Sequence, residues 1–281
     1  MELSRKELLE KIANADKILI GLGEEFDNRK GIDTTDGTFE KGKNCLMDNG
    51  FSDMLGLYQK LFVRYRGSSN KNPDRRNPGK RLAVLAEALK EKDYYVVSVS
   101  TNREIEKVAW KAGSLVMPCG SYSKMQCSEG CDRHLSLVPE EEIRDAEGKM
   151  QEWIQLLSTE PEEKLASKLA SMRRKCPLCG KPMTWNTIYN ADYDEQGYLP
   201  DWQSYTKWIQ STLNRNLLVL ELGVGMNYPS VIRFPFEKIV YFNQKAQMIR
   251  VNENLYQLTE ELAGKGVPIA KNAIDWLSIL C

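Results

Sequence analysis

Leu217-Leu218-Val219-Leu220-Glu221-Leu222-Gly223-Val224-Gly225 is the stretch that decides the architecture. It is the strongest buried strand in the chain, and it runs straight into a Gly-x-Gly turn. A near-continuous apolar run of this length suits a strand covered on both faces, as in parallel α/β sheets. A second run of the same kind, Lys17-Ile18-Leu19-Ile20-Gly21, leads into Gly21-Leu22-Gly23. It is preceded by a helix that opens on the capping box Ser4-Arg5-Lys6-Glu7 and continues through Leu8, Leu9 and Ile12 to about Asn14. Helix-then-strand order favours an α/β sheet. Leu82, Leu85, Ala86 and Leu89 mark an amphipathic helix over 80–92. The strand 94–100 after it ends in Thr101-Asn102, where α/β sheets place ligand contacts. A helix over 104–112, a short strand 115–117, a helix over 201–214 and strands at 239–242 and 248–251 complete the pattern. The fold class read from this is α/β, a Rossmann-like parallel sheet with an inserted small domain.

A length of 281 residues suggests about two domains. Lysine plus arginine equals aspartate plus glutamate at 39 each, so the chain has no basic excess to advertise a nucleic-acid partner. No apolar run reaches the ~20 residues of a membrane span, and the first residues contain no signal-peptide hydrophobic segment. The expected compartment is cytoplasmic. The single histidine, His134, excludes His₃ zinc enzymes, H-E-x-x-H proteases and two-His iron oxygenases, each of which needs at least two imidazoles.

Seven cysteines in an intracellular chain point to metal or chemistry. Cys127 and Cys131 form a C-x₃-C pair and Cys176 and Cys179 a C-x₂-C pair, whereas Cys45, Cys119 and Cys281 stand alone. Four thiolates close a tetrahedral zinc site and leave no open position, so the ion expected here is structural. Cys176-Pro177-Leu178-Cys179-Gly180 is similar to a zinc knuckle. His134, three residues past Cys131, is an alternative ligand. The 44 residues between the pairs suit a module inserted in a larger fold. Residues 24–80 read as a second inserted module, with a helix carrying Phe51, Leu55, Tyr58, Leu61, Phe62 and Tyr65 and a basic loop over 68–79. The expected organisation is therefore 1–30, 80–120 and 210–281 for the sheet domain, 31–79 for a helical insertion, and 121–209 for the zinc-binding small domain.

The order of these pieces resembles the sirtuins, and most closely the class M microbial sirtuins encoded beside macrodomain proteins. Cys119-Gly120-Ser121-Tyr122-Ser123-Lys124-Met125-Gln126-Cys127 and Glu221 through Pro229, running on to Ile232-Arg233-Phe234-Pro235-Phe236, carry the resemblance. Residues 15–21 and 176–186 add to it. It implies an NAD-consuming enzyme with a zinc ribbon, and class M implies protein ADP-ribosyl transfer rather than deacylation. The implied NAD-contacting residues are Gly21, Gly23, Asn102, Gly223, Gly225, Asn227 and Asn252. Asn102 is implied to position water or the nicotinamide amide, Gly223, Gly225 and Asn227 to hold the diphosphate, and Asn252 to contact the adenosine ribose. A protein substrate is implied, with a lipoyl-carrier-like protein as the candidate acceptor.

The departures are specific. Small residues and a serine are expected after the first glycine turn, and this chain has Glu24-Glu25-Phe26, two carboxylates that would repel a pyrophosphate. The Asn-Leu-Arg segment of class M is Asn186-Thr187-Ile188. Cys119 stands where deacylating sirtuins have a histidine base and class M a glutamine. As a thiolate base or redox gate it needs a depressed pKa; as a small buried residue it lines a pocket. Three readings follow: NAD-dependent protein ADP-ribosyl transfer using Asn102 and Cys119, a catalytically inactive binding or scaffold module, and, third, lysine deacylation.

Overall fold

The computed structural model describes residues 3–27, 32–65, 78–131 and 135–281. His134 and residues 68–77 of the basic loop lie outside them. The helices and strands, in chain order, begin with α1 (Arg5–Asn14), β1 (Lys17–Leu22), α2 (Gly37–Asp48), α3 (Leu55–Tyr65), α4 (Pro78–Ala88), β2 (Asp93–Ser98), β3 (Leu115–Val116), β4 (Gly120–Cys127) and β5 (Ser136–Leu137). They continue with α5 (Glu140–Leu156), α6 (Glu162–Met172), β6 (Met183–Thr187), α7 (Leu199–Gln210), β7 (Leu217–Leu222), α8 (Arg233–Phe242), β8 (Gln247–Val251), β9 (Gly266–Ile269) and α9 (Ala273–Trp276).

Two compact units result: Met1–Asn28, Asn72–Pro118 and Tyr198–Cys281 form the first, Arg29–Lys71 and Cys119–Gly197 the second. The first is a six-stranded sheet in the order β3-β2-β1-β7-β8-β9, parallel throughout. Every residue of β7 and all but Lys17 of β1 are buried, as the unbroken apolar runs require. The capping box closes as its sequence implies: the Glu7 N–H donates to Ser4 Oγ at 3.2 Å, and the Ser4 N–H donates to Glu7 Oε2 at 2.7 Å. Helix α7, expected within 121–209, packs in this unit, with Tyr205 and Trp208 against Tyr95 at ring separations of 5.4 and 5.7 Å.

Two expected elements differ. Residues 239–242 are the end of helix α8, not a strand: Phe236 and Val240 are buried four apart while Tyr241 and Phe242 are exposed, a helical stripe that a short β-branched and aromatic run conceals. Residues 104–112 form turns instead of a helix. Asn102 Oδ1 accepts the Glu104 N–H at 3.1 Å, and the Ile105 and Glu106 N–H groups reach back three residues, an Asx-turn start that competes with helix propagation.

The second unit combines the antiparallel sheet β5-β4-β6 with α2, α3, α5 and α6. Phe39, Tyr58, Phe62 and Trp153 interlock at its centre, with ring centroids 5.3–5.8 Å apart. The aromatic stretch of 51–65 and the cysteine-bearing segment thus share one core. A buried ion pair also ties them: Arg173 grips Asp53 through two bonds of 2.7 and 2.8 Å, and Asp53 Oδ2 accepts the Trp185 N–H at 2.9 Å.

Candidate functional site

The strand order reverses direction between β1 and β7, because the chain builds outward from β1 to β2 and β3 on one side and from β7 to β8 and β9 on the other. Open α/β sheets present their ligand crevice outside the carboxyl ends of the strands at such a switch point. The loops after β1, β2, β7 and β8 meet there and hold the expected NAD-contacting residues other than Gly21, which lies inside β1.

Their side chains tie loop to loop. Asn102 is buried; its Nδ2 donates to Phe26 O at 2.8 Å, joining the loops after β2 and β1. Asn252 is buried too: its Nδ2 donates to Val224 O at 3.1 Å and its Oδ1 accepts the Asn254 and Leu255 N–H groups at 2.9 and 2.7 Å. Asn227 is exposed on the loop after β7. Gly21 lies inside β1 beneath α8, where a Cβ would sit 2.6 Å from Ile232 Cγ2. A Cβ on Gly23 would lie 2.2 Å from Gly223 O. These two glycines are therefore required by packing within the fold, helix on strand and turn on turn. Cys119 opens the second unit; it is buried, and its carbonyl accepts the Ile188 N–H at 2.9 Å.

Glu24 and Glu25 turn inward. Glu24 Oε2 accepts the Gly225 N–H at 2.6 Å. Glu25 Oε1 accepts the Glu253 N–H at 2.9 Å, and its Oε2 accepts the Ala273 N–H at 2.6 Å. Hydrogen bonds to a charged acceptor contribute about 1.5–3 kcal/mol each. The second Gly-x-Gly makes room for these carboxylates. Gly223 has φ +62°, and a Cβ there would lie 2.7 Å from Glu25 Cβ; a Cβ on Gly225 would lie 3.0 Å from Glu24 Oε2.

Two further groups at this edge were not singled out from the sequence. Asp27, buried, accepts Ser100 Oγ–H at 2.6 Å and the Thr101 N–H at 3.0 Å. Glu221 and Arg250, opposite each other on β7 and β8, pair at 2.7 and 2.9 Å, with Glu237 on the same guanidinium at 2.7 Å. Arg233 donates to Val224 O at 2.9 Å and Leu255 O at 2.6 Å, fixing both loops. Burial pushes the Glu221 carboxyl upward, and the neighbouring guanidinium groups oppose it. The signal was available: a charge inside an apolar strand run must find a partner.

The second unit holds the metal centre. The Sγ atoms of Cys127, Cys131, Cys176 and Cys179 all lie within 4.8 Å of one another, with Cys127–Cys179 at 3.5 Å and Cys131–Cys176 at 3.6 Å. A tetrahedron with zinc–sulfur arms of about 2.3 Å has edges of about 3.8 Å, so this set fits a zinc ion held by all four. A glycine in the left-handed region shapes each turn: Gly130, inside the first pair, at φ +56°, and Gly180, just after the second, at φ +71°. The Gly130 N–H reaches Cys127 O at 3.0 Å and the Gly180 N–H reaches Cys176 O at 2.9 Å. Backbone N–H groups of Cys131 and Glu129 draw the Cys127 thiol down to about 7, while burial and the neighbouring thiols push Cys131 up, so a metal entering the cluster must displace the remaining thiol protons.

An all-parallel switch-point sheet joined to an antiparallel ribbon with four cysteines defines the sirtuin fold, and the solved structures agree. A Sir2 mutant with a p53 peptide and NAD superposes over the whole chain and 97% of its own, with TM-score 0.54 and 14% identity. A Sir2 homologue mutant in complex with ADP-ribose matches with TM-score 0.53 and 14% identity, over 100% of this chain and 95% of that one. Among curated proteins, "Protein ADP-ribosyltransferase" of Staphylococcus aureus (strain Mu50) is 19% identical over 276 residues, 93% of this chain and 82% of that protein. The "Probable bifunctional ADP-ribose hydrolase/ADP-ribosyltransferase" of Fusarium oxysporum f. sp. cubense is 30% identical over 146 residues, 50% of this chain and 23% of that protein. No protein-family model matches the chain.

Proposed function

We propose that this chain is an NAD-dependent protein ADP-ribosyltransferase related to the class M sirtuins, which moves ADP-ribose from NAD to a protein side chain and releases nicotinamide. The observation that carries this reading is the similarity of 93% of the chain to the staphylococcal protein ADP-ribosyltransferase, on a sirtuin fold. Cys119 in place of a histidine base supports transfer over deacylation. Asn102 and Cys119 are the proposed catalytic residues. Gly21, Gly23, Asn102, Gly223, Gly225, Asn227 and Asn252 are the proposed nucleotide contacts, with Gly21 and Gly23 acting through the shape of the turn. Cys127, Cys131, Cys176 and Cys179 hold a structural zinc. The acceptor is a protein, with a lipoyl-carrier-like protein as first candidate. The compartment is the cytoplasm, where thiol ligands stay reduced. Incubating the chain with labelled NAD and a cell lysate tests the reading: transfer of label to protein with nicotinamide release supports it, and neither product across conditions rejects it.

One observation favours a second reading. With Glu24 and Glu25 on the N–H groups of Gly225, Glu253 and Ala273, the crevice as arranged does not fit a diphosphate. A nucleotide-free binding module keeps this arrangement permanently. Micromolar NAD binding by calorimetry counts against that module.

A further inference from the structure

We propose that Glu24 and Glu25 are resident anions of the switch-point crevice: their carboxylates occupy the backbone donors an anionic ligand needs, so a diphosphate binds there only by displacing them. The inference rests on the nucleotide reading above only in naming the diphosphate's source.

Three observations carry it. The donors are backbone N–H groups at the carboxyl edge of a parallel sheet, beside the β1–β7 reversal, and each is taken by a side-chain carboxylate at 2.6–2.9 Å. Clustered backbone amides of this kind attract anions of any origin. Second, the seat is fitted to the side chains. Gly223 and Gly225 leave the space that Glu25 and Glu24 fill, and the Glu25 N–H donates to Gly223 O at 3.2 Å, which fixes the loop over the second Gly-x-Gly turn. The pairing of two glycines in one loop with two glutamates in another is a built contact between sequence features 200 residues apart. Third, the Glu24 seat is incomplete. Its Oε1 is buried and has no hydrogen-bond partner among the described residues. That oxygen is desolvated without a hydrogen bond, a cost offset only by the longer-range attraction of Arg233 and removed by its departure. Glu24 is thus the member poised to leave, and Glu25, bound through both oxygens, the more firmly seated one.

The two arms have different consequences. Without Glu24 the Gly225 N–H is free for a ligand oxygen, and one negative charge leaves the crevice. Without Glu25 the Glu253 and Ala273 donors open as well, at the cost of the tie between the loop after β1 and the segments after β8 and β9.

Calorimetry of the full chain with inorganic pyrophosphate, and separately with ADP-ribose, tests this on wild type, Glu24→Ala and Glu24→Gln. Circular dichroism and thermal melting check the fold. Pyrophosphate affinity should rise about tenfold in Glu24→Ala, the loss of one charge-assisted competitor. It should rise less in Glu24→Gln, which removes the charge, keeps an acceptor oxygen on Gly225 and serves as the reference if the alanine variant does not fold. ADP-ribose should follow the same order. Unchanged or weaker pyrophosphate binding in a folded Glu24 variant, including no binding in any form, overturns the proposal. The functional reading fails separately: a pyrophosphate gain without any labelling of protein from NAD keeps the resident anions and removes the transferase.

Discussion

Replacing Arg173 with methionine should unravel the joint between the helices and the zinc-bearing sheet of the second unit. The side chain of Asp53 is 2% exposed and that of Arg173 10%, so solvent screens the pair little. Removing the guanidinium leaves the Asp53 carboxylate buried with only the Trp185 N–H among its described partners. Stranding a buried charge costs about 3–5 kcal/mol. The guanidinium also sits 4.5 Å from the centroid of the Phe51 ring, a cation–π contact of about 0.5–1 kcal/mol. A loss of about 4 kcal/mol corresponds to about a thousandfold in the opening equilibrium. Native-state hydrogen exchange reads it directly: amides of 183–187 should exchange about a thousandfold faster, while those of 217–222 in the first unit keep their protection. The double variant Asp53→Asn/Arg173→Met should cost less than the sum of its singles, because the stranded charge is gone. Acceleration of less than tenfold, or strictly additive singles, would refute the reasoning.

Metal analysis should find one zinc per chain, lost in Cys176→Ser, and chelation should expose the amides of the second unit while sparing the sheet of the first. Gly23→Ala should cost about 1–3 kcal/mol in urea denaturation, since its Cβ meets backbone at 2.2 Å, whereas Gly148→Ala, in open space inside α5, should gain about 0.5–1 kcal/mol. Burial raises the Asp93 carboxyl, but hydrogen bonds from Lys17 and Trp208 outweigh it and hold the group below its ordinary value. Its folded pKa is depressed, so its stabilisation is present above about pH 4 and lost as pH falls through the folded value; melting temperatures of wild type and Asp93→Asn should converge on the acid side.

The inner strands of the sheet were legible because they are unalternating apolar runs, and a run such as 217–222 has few other ways to be buried; the edge strand β9 (Gly266–Ile269), short, proline-bearing and half-exposed, was not read. The four cysteines were legible from spacing alone. What the sequence concealed is of two kinds. Residues 239–242 look like a strand because four consecutive apolar side chains do not reveal a period; only Phe236, outside the run, supplies the helical partner of Val240. The crevice was hidden more deeply. Glu24 and Glu25 read as a conflict with an anionic ligand, and the resolution depends on which way a loop turns its side chains. Their partners, Gly225, Glu253 and Ala273, are backbone groups more than 200 residues away, which no local pattern encodes. The same holds for the role of Gly23, set by a turn that returns only at Gly223.

The most direct test of the account is an NMR titration of the wild-type chain with ADP-ribose, following the backbone amides of Gly225, Glu253 and Ala273. Saturable shifts at these amides, with Gly225 among the first to respond, are the expected result: a nucleotide enters at the β1–β7 switch point and displaces Glu24. Unmoved amides at saturating ADP-ribose would contradict it and leave the fold as a scaffold closed by its own carboxylates.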